Sequence, residues 1–281
     1  YYIMELKTQD LSILPPKSES GEIKYKMDLD PRLMRVDRGV CGLILGVPGS
    51  GKTVFLLNLF GRFLKYYYEK IHFIAASKDP TLQPLFSYYG QPKAECSDQV
   101  VHNIIQSQYD QDDDDETQYP RTNAALIIDD ALAMKSFNSR KSTNLSRLAS
   151  NYRHILRGHL PHQIDGDSYK THGGGGMLLL STQRYGSTIP TSFKSCCNVI
   201  MVGRLANKKE FEEIINDYGD RCGGPDSLRE MINICMAEPY SFLNIYLDGD
   251  NDPETTGCVV YKNMDIKLFP TDRFPEKAYK I

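Results

Sequence analysis

The sequence predicts an α/β fold, with a central and mostly parallel β-sheet flanked by helices. Three observations point there. Short apolar runs recur along the 281-residue chain. Those runs are continuously apolar, as strands buried on both faces require. Helical patterns separate several of them, which is the alternation expected of βαβ units.

Taken in order, residues 1–38 are mixed. Leu14–Gly21 reads as a loop, and alternating apolar positions at Ile23, Tyr25 and Met27 predict a short edge strand. Val40–Leu45 is the first core strand and runs into a glycine-rich turn. From Thr53 the pattern becomes helical: Val54, Leu57, Leu64 and Tyr68 fall near a 3.6-residue repeat, and Phe55, Leu56, Leu59, Phe60 and Phe63 widen the stripe. Further strands are expected at Ile71–Ala76, Ala124–Ile128, Met177–Leu180 and Asn198–Val202, then at Ser241–Leu247 and Gly257–Tyr261. Helical patterns lie near Asn144–Arg157, Lys208–Tyr218 and Asp226–Cys235. The organisation expected is an N-terminal extension over 1–38, a nucleotide-binding core over 39–265 and a tail over 266–281.

Composition removes several function classes. Seven cysteines is an odd count, and two of them, Cys196 and Cys197, are adjacent. With the rest irregularly spaced, free thiols are expected instead of a disulfide framework or a zinc ribbon. No apolar run approaches the ~20 residues of a membrane span, and Tyr1–Asp10 lacks the pattern of a signal peptide. A net charge of −3 gives no bulk attraction to nucleic acid, so any DNA binding must use a local basic surface. Two biased stretches, the Asp112–Asp115 run and the glycine-ending segment Gly158–Gly176, read as solvated loop insertions. His154, His159, His162 and His172 cluster in sequence, but their loop-like spacing without cysteine does not predict a zinc site.

Four motifs carry chemistry. Gly46-Val47-Pro48-Gly49-Ser50-Gly51-Lys52-Thr53 fits the phosphate-binding loop at every fixed position, between an apolar strand and a helix. Its glycines let several backbone N–H groups converge on phosphate, Lys52 adds a compact positive charge, and Thr53 offers a hydroxyl to Mg²⁺. ATP with Mg²⁺ is therefore the expected cofactor pair. Ala125–Asp130 is an apolar strand ending in two acids. Asp129 is placed to hold Mg²⁺, and Asp130 to orient or deprotonate the attacking water. Gln183 closes a third strand, where α/β sheets bind ligands, and can contact the γ-phosphate or the water. Last come arginines able to neutralise transition-state charge: Arg147, Arg153 and Arg157 after the acidic pair, and Arg204 after the fifth strand. Arg184 is less suited, since neighbours on a strand point to opposite faces. The stretch from Lys135 through Arg140 and Lys141 to Arg147 is basic and can track a phosphate backbone.

At these motifs the chain resembles the FtsK–HerA superfamily of ring-forming DNA translocases. Within it, the chain is most similar to the DNA-packaging ATPases of large double-stranded DNA viruses, of the poxvirus and giant-virus type, a group that extends to virophages. The resemblance runs over about residues 25–265. It rests on Gly46–Thr53, Ile128-Asp129-Asp130, Tyr152-Arg153-His154, Leu180-Ser181-Thr182-Gln183-Arg184 with Ile189-Pro190, Val202-Gly203-Arg204 and Pro239–Leu243. It implies an ATP-hydrolysing motor that translocates double-stranded DNA into a viral capsid. It also implies a homo-oligomeric ring, pentamer or hexamer, with an arginine (Arg153 or Arg204) acting on a neighbour's site. The expected partner is a capsid or internal-membrane protein at a packaging vertex, and the expected location is the virion or the host cytoplasm. Two departures stand out: Asp130 occupies a position where cellular members often carry Glu, and Gly158–Gly176 is longer than that family's usual connection. Other readings of the same motifs are a nucleoside or small-molecule kinase, which would need a lid with paired arginines, and a slow nucleotide-gated assembly protein.

Overall fold

A computed structural model of the chain describes residues 7–10, 39–59, 68, 70–75, 97–109, 123–130, 143–158, 175–186, 189–237, 239–247 and 257–262. Among these residues eight strands form one sheet: β1 (Lys7–Asp10), β2 (Val40–Leu45), β3 (Lys70–Ala75), β4 (Ala124–Asp129), β5 (Met177–Thr182), β6 (Val199–Val202), β7 (Phe242–Tyr246) and β8 (Gly257–Lys262). Their order across the sheet is β1-β8-β7-β6-β2-β5-β4-β3. All neighbours run parallel except at the two borders of β7, so β7 alone is inverted.

The strands bearing the motifs, β2, β5 and β4, lie side by side within the sheet. Every residue of β2, β4 and β5 is buried, which is why these runs are apolar without alternation. The register pairs Val40 with Met177 and Leu45 with Thr182, and Ile128 with Leu180. The carboxyl ends of β2, β4 and β5 therefore finish side by side.

The helices among the described residues are α1 (Lys52–Asn58), α2 (Asp98–Tyr109), α3 (Thr143–Ile155), α4 (Thr191–Cys196), α5 (Lys208–Tyr218) and α6 (Pro225–Ala237), with a 3₁₀ turn at Gly219–Cys222. α5 begins at Asn207, whose side chain accepts from the Glu210 N–H at 3.0 Å, an N-cap that satisfies an otherwise orphaned donor. α2 docks on α3 through Asp98, which accepts from Asn144 N at 2.9 Å and from Asn144 Nδ2 at 2.6 Å.

Several expectations are revised. β1, α2 and α4 are elements that the sequence reading did not anticipate. Tyr68 lies in no helix; it is fully buried, with its hydroxyl donating to Gly175 O at 3.4 Å. The strand expected around Ile23–Met27, the Asp112–Asp115 run and most of Gly158–Gly176 lie outside the described residues. So do His159, His162 and His172. The five described cysteines, Cys41, Cys196, Cys197, Cys222 and Cys235, carry free thiols. Among the described residues no helix is long and apolar enough to cross a membrane.

A buried Asn holds the amino-terminal ends of the central strands together. Asn198 accepts from Cys41 N at 2.9 Å and donates to Gly39 O at 2.9 Å and to the Tyr152 hydroxyl at 3.2 Å. Beside it, Gly176 meets the end of α3 at close range. A Cβ there would run into Leu156 Cβ and stand 2.6 Å from the Leu156 carbonyl carbon. Neither neighbour is a flexible side-chain tip, so Gly176→Ala should lower the free energy of unfolding by about 2 kcal/mol or more, the range of overpacked cores. A denaturant midpoint equal to that of the unaltered protein would show that the two segments can move apart freely.

Candidate active site

The turn after β2 is clamped at the carboxyl edge of the sheet by its two neighbours. Gly46 N donates to Thr182 O of β5 at 3.2 Å, and Val47 N donates to Arg204 O beyond β6 at 2.7 Å. Gly49 and Gly51 take φ of 75° and 91°, a left-handed conformation that costs glycine nothing. The glycine pattern legible in the sequence is thus the backbone that the turn requires.

Lys52, at the first position of α1, is 9% exposed. Its Nζ donates to Gly46 O at 2.7 Å and Val47 O at 3.2 Å. Burial pulls its pKa down, while the carboxylates of Asp129 and then Asp130 pull it back up. Asp129 closes β4 and is 9% exposed. Burial pushes its pKa up; the Ser181 hydroxyl opposes that shift, the charge of Asp130 adds to it, and Lys52 opposes it. Lys52 and Asp129 thus share a poorly hydrated corner beside the carboxylate of Asp130.

Asp130 takes φ 51°, in the left-handed region that Asp tolerates better than most residues. This turn ends β4 and sets the carboxylate against the next strand, where Gln183 Nε2 donates to Asp130 Oδ1 at 3.1 Å. Gln183 is half-buried, immediately after β5. The segment that follows is anchored in turn. Tyr185 is buried, with its hydroxyl donating to Asp217 Oδ2 at 2.5 Å and lying 2.8 Å from the Tyr218 hydroxyl, while Lys194 Nζ sits 3.8 Å from its ring centroid. Burial and the neighbouring acid push the Tyr185 pKa far up, so it remains a neutral donor. Nothing local in the sequence points to this anchor, because Asp217 and Tyr218 belong to α5, about thirty residues later.

The structure brings the P-loop, Asp129, Asp130 and Gln183 together. Arg204 joins them through its backbone and has an exposed side chain at the same edge. Arg153 is elsewhere. It lies at the end of α3, with Nε donating to the Tyr152 hydroxyl at 3.0 Å and the guanidinium 5.7 Å from that ring's centroid. Tyr152 packs against Gly39, just before β2. Arg153 therefore sits at the amino-terminal end of the strands, a full strand length of about 20 Å from the P-loop of its own chain. Arg147 and Arg157 are exposed. Lys135, Arg140 and Lys141 lie outside the described residues.

The residues present suit a nucleotide and its metal. The Ser50 hydroxyl is buried in the turn without a hydrogen-bond partner, the kind of orphan that a phosphate oxygen would satisfy. Thr53 and the two carboxylates are hard oxygen donors, the type Mg²⁺ prefers.

No family model matches the chain, and no curated protein matches it by sequence. Solved structures do match. The DNA-packaging ATPase B204 of Sulfolobus turreted icosahedral virus is 17% identical with a TM-score of 0.53, covering 82% of this chain and 98% of that one. The genome-packaging NTPase B204 of Sulfolobus turreted icosahedral virus 2, in complex with AMP, is 15% identical with a TM-score of 0.52, covering 80% and 98%. The pCW3 conjugation coupling protein TcpA, as a monomer with ATPγS, is 14% identical with a TM-score of 0.52, covering 83% of this chain and 62% of TcpA. The chain has the P-loop NTPase fold of these proteins.

Proposed function

We propose that this chain is an ATP-hydrolysing motor that translocates double-stranded DNA into a viral capsid. The observation that carries the reading is the convergence of three strand ends: Lys52 on the loop after β2, Asp129 and Asp130 after β4, and Gln183 after β5, with Gln183 and Asp130 in contact. A P-loop alone serves many reactions. The acidic pair and the glutamine add the groups that hydrolysis needs, a water-orienting acid and a contact for the γ-phosphate. The match in fold to viral packaging ATPases and to a conjugation coupling protein supports DNA as the cargo.

In this reading Gly46–Thr53 cradles the triphosphate, and Lys52 balances charge at the β- and γ-phosphates. Thr53 and Asp129 would hold Mg²⁺, which neutralises charge on the phosphates when bound. Asp130 accepts a proton from, or orients, the attacking water, and Gln183 positions Asp130. An arginine completes the site. Arg204 can face its own P-loop, whereas any phosphate that Arg153 meets must belong to a neighbouring subunit. That division favours a homo-oligomeric ring, pentamer or hexamer, with Arg153 as the residue acting across the interface. Capsid or internal-membrane proteins at a packaging vertex, in the virion or host cytoplasm, are the partners this role requires. DNA contact is assigned to the basic stretch Lys135–Arg147.

The test is the ATPase rate with and without duplex DNA, read alongside native mass. Duplex DNA should stimulate hydrolysis with little sequence preference, because contacts to phosphates read no bases. Raising salt should weaken DNA binding steeply, through counterion release. Hydrolysis indifferent to DNA, or DNA binding indifferent to salt, would remove translocation from the reading.

A further inference from the structure

A phosphate-binding loop recognises polyphosphate and nothing beyond it. Its backbone amides and Lys52 offer no surface to a base, so a nucleotide held there needs an apolar platform from another element. The inverted strand β7 supplies one. Because β7 runs against β6, its amino-terminal end reaches the carboxyl edge of the sheet, next to the turn after β2. Phe242 fixes that end in place: its ring lies 4.6 Å from the ring of Phe55 in α1, both fully buried. Two residues earlier the chain does something different. Tyr240 takes φ 56°, a conformation disfavoured for a bulky side chain. It is also 56% exposed, more than the other exposed large hydrophobic residues described, Tyr109 and Ile234. Its ring does not project away from the fold. A Cβ on Gly51 would stand 3.1 Å from Tyr240 Cδ1 and 3.8 Å from Cγ, so the ring rests on the last glycine of the phosphate loop. The absence of a side chain at Gly51 is what admits it.

A strained backbone that presents an aromatic ring half to solvent, at the rim of a phosphate site, gains nothing from core packing. We propose that Tyr240 is the platform on which the base of the bound purine nucleotide stacks. The inference rests on the nucleotide-binding reading of Gly46–Thr53 and adds the subsite that holds the other end of the ligand. Stacking uses the π-face that every purine carries, so the platform accepts adenine and guanine nucleotides alike and leaves polyphosphate binding to the loop.

The experiment compares Mg-ATP with Mg-tripolyphosphate, which has the phosphates and no base, by titration calorimetry. Tyr240→Asn removes the ring while keeping a residue that tolerates the left-handed conformation. It should weaken ATP by about tenfold or more, within the range of base–aromatic stacking, and leave tripolyphosphate affinity unchanged. Tyr240→Phe should restore ATP affinity. The chain contains no tryptophan, so Tyr240→Trp creates a single indole, excited apart from the tyrosines, at the platform. ATP should quench it, and tripolyphosphate should bind without quenching. Equal loss of both ligands in Tyr240→Asn, or unchanged ATP affinity there, or an indole signal blind to ATP in Tyr240→Trp, overturns the platform while the loop reading stands. An unaltered chain that binds neither ligand overturns both.

Discussion

Replacing Lys52 by Ala is expected to reduce ATP hydrolysis to background and to weaken nucleotide binding, with a cooperative melt retained. The side chain is buried, and its ammonium group donates to two loop carbonyls, Gly46 O and Val47 O. Its removal loses two hydrogen bonds at the turn, each contributing about 1 kcal/mol net. That is small beside the packing of β2, β4 and β5. The charge is another matter. Asp129 and Asp130 both act on Lys52, so the variant leaves two carboxylates beside a triphosphate with one fewer cation to offset them. Turnover near that of the unaltered protein in the folded variant would show that the loop is not the nucleotide site.

The acidic pair should separate by role when each is changed to Asn. Asp130→Asn is expected to keep ATP and Mg²⁺ bound but slow hydrolysis by about 10²-fold or more, the usual worth of a positioned base. Asn at this position tolerates the φ of 51° and can still receive the Gln183 amide, so geometry is preserved while basicity is lost. Asp129→Asn should instead weaken Mg²⁺-dependent nucleotide binding, because it removes the buried charge at the end of β4. Nucleotide affinity measured with and without Mg²⁺, together with turnover, distinguishes the two variants. The opposite pattern would exchange the roles.

Local chemistry explains how much of this was legible. The glycine-rich turn after β2 and the two acids at the end of β4 meet backbone requirements that a few adjacent residues satisfy, and their placement was readable directly. So were β2, β4 and β5, whose burial on both faces forces unbroken apolar runs, and α5, whose span matches its helical pattern. α2 was missed although Val101, Ile104 and Ile105 keep helical spacing. The fourth buried position is Gln108, and a polar residue there breaks the stripe. α4 has six residues with Phe193 its one buried side chain, too short to show a period. β1, Lys-Thr-Gln-Asp, carries no apolar residue and is a strand because β8 pairs with it. At the site, what escaped was long-range: Tyr240 against Gly51, Tyr185 against Asp217, and Arg153 at the far end of the strands. Each depends on the direction in which an element returns, and local sequence does not encode the inversion of β7.

The pairing of β1 with β8 also bears on how the chain assembles. Lys7 lies opposite Val259, a separation of 259 − 7 = 252 residues, against 177 − 40 = 137 for Val40 and Met177 at the sheet's centre. The entropy of closing a loop grows only logarithmically, by about 0.6 kcal/mol per doubling, so the wider span adds little to the thermodynamic cost. The burden is kinetic. Among the described strands β1 pairs with β8 alone, so it can join the sheet only once β8 has been made and has itself docked on β7. In translation order its polar residues wait through the synthesis of every other described strand. A strand with no apolar side chain can wait in water without exposing a sticky edge to other unfinished chains.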